Sequence, residues 1–198
     1  MVLSLVGGAL AAGGCAYLGL ALYRMNRGFP RYPDTGWRPP VTVLVPAHGA
    51  PARLEECLRS ICAQDYPAMQ VVFGVQSADD AAVAVIERVR ADFPALDSHL
   101  VVDPRRAGTN PKNANLINMI PSAKHDVLVM IDSDVVVEPD FLAEFIRPLA
   151  EPGVGGVTSA FSGSPNPTLV ATVGAMHHND WFLPSVLVDL ADPDIKLC

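Results

Sequence analysis

The chain has 198 residues, half of them hydrophobic and 18% charged, a balance that excludes a disordered or fibrous chain and suits one domain with a short appendage. Fourteen basic against 21 acidic residues leave a net charge of −7, but unevenly. Residues 1–23 carry no charge, residues 24–40 hold four arginines (Arg24, Arg27, Arg31, Arg38) against Asp34, and the remainder has ten basic against twenty acidic residues, too acidic a body to attract nucleic acid. Four cysteines (Cys15, Cys57, Cys62, Cys198) show no C-x-x-C spacing, which argues against a disulfide scaffold or a zinc site.

Residues 1–23 predict a transmembrane helix of roughly 34 Å, against a bilayer core of about 30 Å. No basic region precedes the apolar run, so it does not read as a cleaved signal peptide. The arginines that follow place the body on the cytoplasmic side and the N-terminus outside. Five glycines (Gly7, Gly8, Gly13, Gly14, Gly19) suit packing against another membrane helix. Residues 24–40 form a basic, proline-rich linker (Pro30, Pro33, Pro39, Pro40), extended over 28–40.

From residue 41 onward strands and helices alternate. Residues 41–45 read as a strand closed by Pro46-Ala47-His48-Gly49, and Leu54, Cys57, Leu58 and Ile61 as one face of a helix broken at Asp65-Tyr66-Pro67. A strand over 71–75, a helix over 80–92 and a short strand over 100–102 follow. Asn110 is placed to cap a helix with Pro111 at its first position, continuing over 113–120. Residues 127–131, uninterruptedly apolar, predict a strand buried on both faces of a parallel sheet. A helix over 139–149 and a strand over 154–159 complete the pattern. The fold class is α/β with a mainly parallel sheet.

Ligands of such sheets bind beyond the carboxyl ends of the strands. Three polar groups fall there: residues 46–49, 76–80, and Asp132-Ser133-Asp134. The last offers two carboxylates to Mg2+ or Mn2+, an ion able to bridge a diphosphate. Lys112, in the first turn of a helix entered from Gly108, adds a cation to backbone N–H groups and so makes an anion site. His48 reads equally as a nucleotide contact or an ordinary loop residue. His177 and His178 point about 100° apart on a helix and do not read as a pair binding one ion. Cys57 and Cys62 read as helix packing.

With these residues in view, the segments Pro46-Ala47-His48-Gly49, Leu58 to Pro67 (Leu-Arg-Ser-Ile-Cys-Ala-Gln-Asp-Tyr-Pro), Val75 to Asp80, Gly108 to Leu116 (with Asn-Pro-Lys-x-x-Asn-Leu) and Ile131 to Asp134 resemble a family 2 inverting glycosyltransferase of GT-A fold. The subgroup it is most similar to comprises the ceramide glucosyltransferases and the bacterial hopanoid-associated glycosyltransferases. The resemblance covers about residue 41 to the end, plus the N-terminal anchor, and implies a nucleotide-sugar-binding domain over 41–198. It implies that Pro46, Ala47, Ser77, Asp80, Lys112 and Asp132 bind the nucleotide-sugar, and that Asp132 and Asp134 hold Mg2+ or Mn2+. The implied activity is inverting transfer of a hexose from a UDP-sugar to the hydroxyl of a membrane lipid, ceramide or hopanoid-like.

Two departures stand out. Ser77 occupies the position where relatives carry a nucleotide-contacting Asp, for which Asp79 or Asp80 substitutes only if the loop shifts. The later acid, the expected general base, and the Arg-Trp acceptor motif do not occur before Cys198, so the chain is expected to be a fragment holding the donor half of the site. Two other readings remain: a haloacid-dehalogenase-like phosphohydrolase using Asp132 as nucleophile and Asp134 as acid, and a membrane-tethered nucleotide-sugar-binding module.

Overall fold

In a computed structural model, residues 2–27 and 32–189 are described, with side chains for 5–27 and 32–188. Pro30, Arg31 and Cys198 lie outside the described residues. The chain forms two units, residues 34–147 and residues 1–33 with 148–198.

The first unit is built on four parallel strands: β1 (Val41–Pro46), β2 (Met69–Val75), β3 (Asp97–Val102) and β4 (Val127–Met130), in the order β3-β2-β1-β4. Val43 of β1 lies between Val71 of β2 and Val129 of β4. The β-branched runs of β1 and β2 suit strands covered on both faces, and Val41, Val43, Val45, Val71, Val72, Phe73 and Val75 are all fully buried. Three helices connect the strands: α2 (Leu54–Cys62), α3 (Ala81–Asp92) and α4 (Pro111–Met119), numbered after the N-terminal α1 (Val2–Arg27). Leu54, Leu58 and Ile61 of α2, Ile86 and Val89 of α3 and Met119 of α4 complete the core. Each such burial stabilises by roughly 1.5–3 kcal/mol.

Buried polar groups fix the ends of the sheet. The Thr42 hydroxyl donates to Gln70 Oε1 (2.8 Å), which also accepts from Lys124 N, while Gln70 Nε2 donates to the Ser122 carbonyl. Gln64, just after α2, donates through Nε2 to the carbonyls of Ser60 and Glu138 and accepts from Leu142 N. Asp65 N donates to the Pro139 carbonyl, and the Tyr66 hydroxyl to that of Pro39. The Gln-Asp-Tyr-Pro stretch is thus a clamp on the segment that follows Asp134. Residues 34–40, free of helix and strand, are tied down by Tyr66 and by Asp34, which pairs with Arg38 and Arg147.

Three expectations are corrected. Residues 127–131 do not form a strand buried on both faces: β4 is an edge strand of the described sheet, with Leu128 and Met130 45% and 54% exposed. An apolar run fits that position as readily, because only β1 pairs with it. Residues 154–159 form no strand. Gly153 adopts a positive φ and Gly155 and Gly156 follow, so local stiffness is low and no described strand holds the segment extended. The helix over 139–149 shortens to α5 (Phe141–Phe145), and a 3-10 turn Arg147–Ala150 follows, since Pro148 cannot donate to a continuing α-helix.

In the second unit α1 extends past residue 23 to Arg27 and is long and apolar enough to cross a bilayer. The other elements are α6 (Leu169–His177), a π-helical turn His178–Phe182 and α7 (Leu183–Asp189). Thr168 caps α6 by accepting from Ala171 N. α1 packs against α7, and Ala21 and Leu187 are buried.

Candidate functional site

The carboxyl ends of β1, β2 and β4 bring the predicted groups into one region. β1 and β4 run in register to Leu44 and Met130, and Ile131 N donates to the Leu44 carbonyl (3.1 Å). Asp132, the next residue, therefore emerges beside the end of β1, where Pro46 and Ala47 lie. A turn over Asp132-Ser133-Asp134 is closed by Val135 N donating to the Asp132 carbonyl.

Lys112 reaches this turn from α4. Its Nζ lies 2.5 Å from Asp132 Oδ1, with both side chains a little over two-fifths exposed. Asn110 sets the start of α4, its Oδ1 accepting from Lys112 N (3.0 Å) and Asn113 N (3.3 Å), and its carbonyl accepting from Ala114 N. These first-turn N–H groups are occupied, which differs from the expectation that they share an anion with Lys112. The ammonium group is the cation that α4 offers.

Asn115 holds α4 to the sheet. Its Nδ2 donates to the Gly74 carbonyl (2.8 Å), which also accepts from Ala47 N (2.9 Å). Gly74 has no alternative side chain at this crossing, because a Cβ would stand 2.6 Å from Asn115 Oδ1 and press on the Met119 side chain. Asn115 Oδ1 and Gln76 Nε2 are buried without a partner. Asn118 donates to the carbonyls of Asp103 and Arg105, fixing the loop that leaves β3.

Ser77 and Asp79 are exposed in the turn after β2, Asp79 N donating to Ser77 Oγ (3.2 Å). Asp80 is turned inward and its side chain is 6% exposed. It accepts from Ala82 N, capping α3, from Gly49 N, and from His48 Nδ1 at 2.7 Å. Burial alone pushes its carboxyl up, but the Ala82 and Gly49 N–H groups and His48 together outweigh it and hold the group below its ordinary value. Asp80 thus joins the loops after β1 and β2, and His48 is left almost wholly exposed with its Nδ1 engaged. Asp134 is exposed, close enough to Cys57 of α2 for its charge to add to the burial that pushes that thiol up. Cys57 and Cys62 are buried free thiols, and burial raises Cys62 to about 12, so both serve packing.

Two carboxylates one residue apart suit a hard divalent cation that keeps waters and shares oxygens with a diphosphate. Among the described residues no three His, Cys, Asp or Glu side chains assemble into a metal group. His177 and His178 do not converge: His177 stacks on Trp181, while His178 stacks on Phe161 and pairs through Nε2 with the Phe161 carbonyl.

Against this geometry, the sequence model of glycosyl transferase family 21 matches residues 7–191. The chain belongs to glycosyl transferase family 21. The likeness first drawn to family 2 enzymes and their ceramide glucosyltransferase subgroup narrows to this family. A ceramide glucosyltransferase of Komagataella phaffii is 33% identical over 101 residues, covering 49% of this chain and 20% of the relative. An N-acetylglucosaminyltransferase of Bradyrhizobium diazoefficiens is 32% identical over 120 residues, covering 59% and 24%. The chain thus spans about a fifth to a quarter of the curated relatives it matches. A mannosyltransferase of Pyrobaculum calidifontis, solved in complex with GDP-Man and Mn2+, superposes with a TM-score of 0.57 at 27% identity, covering 86% of this chain and 48% of that one. The fold of this family 21 chain is GT-A-like, and the phosphohydrolase reading of Asp132 is without support.

The sequence pointed to Asp132 and Lys112 through strand ends and helix caps. It did not point to Asn115, Asn118 or Gln64 as organisers of the region, because an amide that bonds to backbone leaves no periodic signal. The His48–Asp80 pair was legible only in part, through Asp80 standing just ahead of an apolar helix.

Proposed function

We propose that this chain forms the donor half of a glycosyltransferase that moves a hexose from a UDP-sugar to the hydroxyl of a membrane lipid with inversion, glucose onto ceramide being the leading choice. The observation that carries the reading is the Lys112–Asp132 contact, which brings the cation of the Asn-Pro-Lys segment and the first acid of Asp-Ser-Asp to the same end of the sheet. The relatives named ceramide glucosyltransferase support the lipid acceptor, and the apolar α1 keeps the chain where such an acceptor lies. The mannosyltransferase complex with GDP-Man and Mn2+ supports a nucleotide-sugar and a divalent cation.

In this reading Asp132 and Asp134 would hold Mg2+ or Mn2+, and that cation would supply Lewis-acid stabilisation of the charge that develops on the departing UDP. Lys112 exchanges its contact with Asp132 for a diphosphate oxygen and neutralises part of the same charge. Pro46 and Ala47 line the nucleotide side at the end of β1, and Asp80 holds that loop in place while Ser77 faces solvent beside it. Asn115 positions α4, and through it Lys112, against β2. The body lies on the cytoplasmic side, following Arg24 and Arg27 at the end of α1.

Calorimetry of UDP binding tests the donor reading. Affinity that depends on Mn2+ and falls sharply in Asp132→Asn supports it; unchanged metal-dependent affinity in that variant overturns it. Incubation of the protein, with its full-length relative as reference, with UDP-glucose, Mn2+ and ceramide tests the acceptor, and processive polysaccharide synthesis would contradict it.

A further inference from the structure

Between Glu151 and Asp180 the sequence contains no Asp, Glu, Lys or Arg. That stretch includes α6, whose inner face is set by the loop over 161–163: Asn179 donates through Nδ2 to the Gly163 carbonyl and accepts from Gly163 N, and Ala175 lies close against Gly163. The opposite face carries Leu169 (81% exposed), Val170 (84% exposed), Val173 and Met176, and beyond the π-helical turn Trp181 and Phe182 are exposed as well. A helix that turns its large apolar side chains outward, in a stretch without a charged residue, has the reverse of the pattern that water selects. The same unit contains α1, a candidate membrane span against which α7 packs. The outward apolar face of α6 thus belongs to the same unit as a helix long and apolar enough to cross a bilayer.

We propose that the α6–α7 segment is a membrane-surface element, lying in the interface of the bilayer that α1 crosses, with Leu169, Val170, Val173, Met176 and Phe182 in the acyl region and Trp181 at its headgroup boundary. A spanning arrangement is disfavoured by the polar group His177-His178-Asn179-Asp180 at its centre, which would fall at the bilayer midplane; a surface arrangement leaves it among headgroups. Trp181 beside this group suits the headgroup boundary, where amphipathic rings collect. The absence of basic residues makes the association one of apolar insertion, so it proceeds equally on uncharged and anionic lipid. The proposal concerns where this segment sits and does not depend on which sugar or acceptor the protein uses.

The test reconstitutes the full chain carrying Trp37→Phe, which leaves Trp181 as its lone tryptophan, into phosphatidylcholine vesicles with or without lipids brominated in the upper acyl chain. The expected result is a quenching of Trp181 emission of about two-fold or more by the brominated lipid, with aqueous iodide ineffective. A second variant, Trp37→Phe/Trp181→Phe/Val173→Trp, moves the reporter to the outward face of α6 and is expected to show the same quenching. Emission quenched by iodide but not by brominated lipid would overturn the proposal by placing the face in water. Shielding from both quenchers would overturn it too, by showing the face covered by protein.

Discussion

Lys112 Nζ lies 2.5 Å from Asp132 Oδ1, joining the first turn of α4 to the turn that leaves β4. Half-exposed on both sides, this ion pair contributes no more than about 1 kcal/mol to the fold, so its interest lies in the site. Because Asn110 and its own turn already use the first N–H groups of α4, little remains there to replace the ammonium. Lys112→Ala is expected to weaken UDP binding about ten-fold, the loss of one charge-assisted contact. Asp132→Asn is expected to weaken it further and to remove the dependence on Mn2+. Titration calorimetry of both variants with and without Mn2+ checks the order. Equal affinity in Lys112→Ala and the parent would separate this lysine from the donor.

Ser77 offers the reverse experiment. It is exposed, and its hydroxyl accepts from Asp79 N, a bond that an aspartate at the same position makes equally well. Ser77→Asp is therefore compatible with the turn and adds a carboxylate beside the end of β2. Tighter UDP binding by calorimetry is expected. A weaker affinity would show that the loop presents this position away from the nucleotide.

Asp80 ties acid stability to the loops around the site. Its carboxyl is held below the ordinary value of 3.8, so the stabilisation it provides is fully present above that value and is lost as pH falls through its folded pKa. Asp80→Ala removes the cap on α3 and the tethers to Gly49 and His48, and is expected to cost about 2 kcal/mol near neutral pH. Asp80→Asn keeps an equally good capping side chain but cannot change charge, so it is expected to flatten the fall in stability below about pH 4. Thermal unfolding in detergent across that range, comparing the two variants with the parent, checks both statements.

The parallel sheet, the helix over 111–119 and the clustering of the Lys112 and Asp132 regions were legible because each rests on local chemistry: β-branched runs, an Asn-Pro helix start, and acids at a strand end. The failures were those of partnership. Residues 154–159 have strand-forming Val and Thr, yet a strand exists only by pairing, and the glycines around them provide no stiffness of their own. Residues 127–131 are as apolar as a central strand, but whether both faces are covered depends on neighbours that composition does not name. The metal-binding role proposed for Asp134 rests on spacing and resemblance, for its side chain is exposed. Gln64 was quoted as part of a motif, while its work, holding the carbonyl of Glu138 and the N–H of Leu142, joins parts of the chain too far apart for any local pattern to reveal.

That clamp gives the last prediction. Gln64 is buried, and its amide satisfies a carbonyl at Glu138 with Nε2 (2.7 Å) and an N–H at Leu142 with Oε1 (2.9 Å). Gln64→Leu keeps much of the volume but leaves the buried Leu142 N–H without a partner and the Glu138 carbonyl with Phe141 N alone, which is expected to destabilise by about 1–3 kcal/mol. Gln64→Glu retains an acceptor for Leu142 N but sets a carboxylate oxygen against the Glu138 carbonyl, so it is expected to be the less stable of the two. Hydrogen exchange separates the contributions. The Leu142 amide is expected to lose protection in Gln64→Leu and to keep most of it in Gln64→Glu under conditions where both remain folded. Because the clamped segment follows Asp134, UDP affinity in the presence of Mn2+ is expected to fall in both variants, in the same order as stability. Unchanged Leu142 exchange in Gln64→Leu would show that the segment is held by Asp65 N and the Pro139 carbonyl instead.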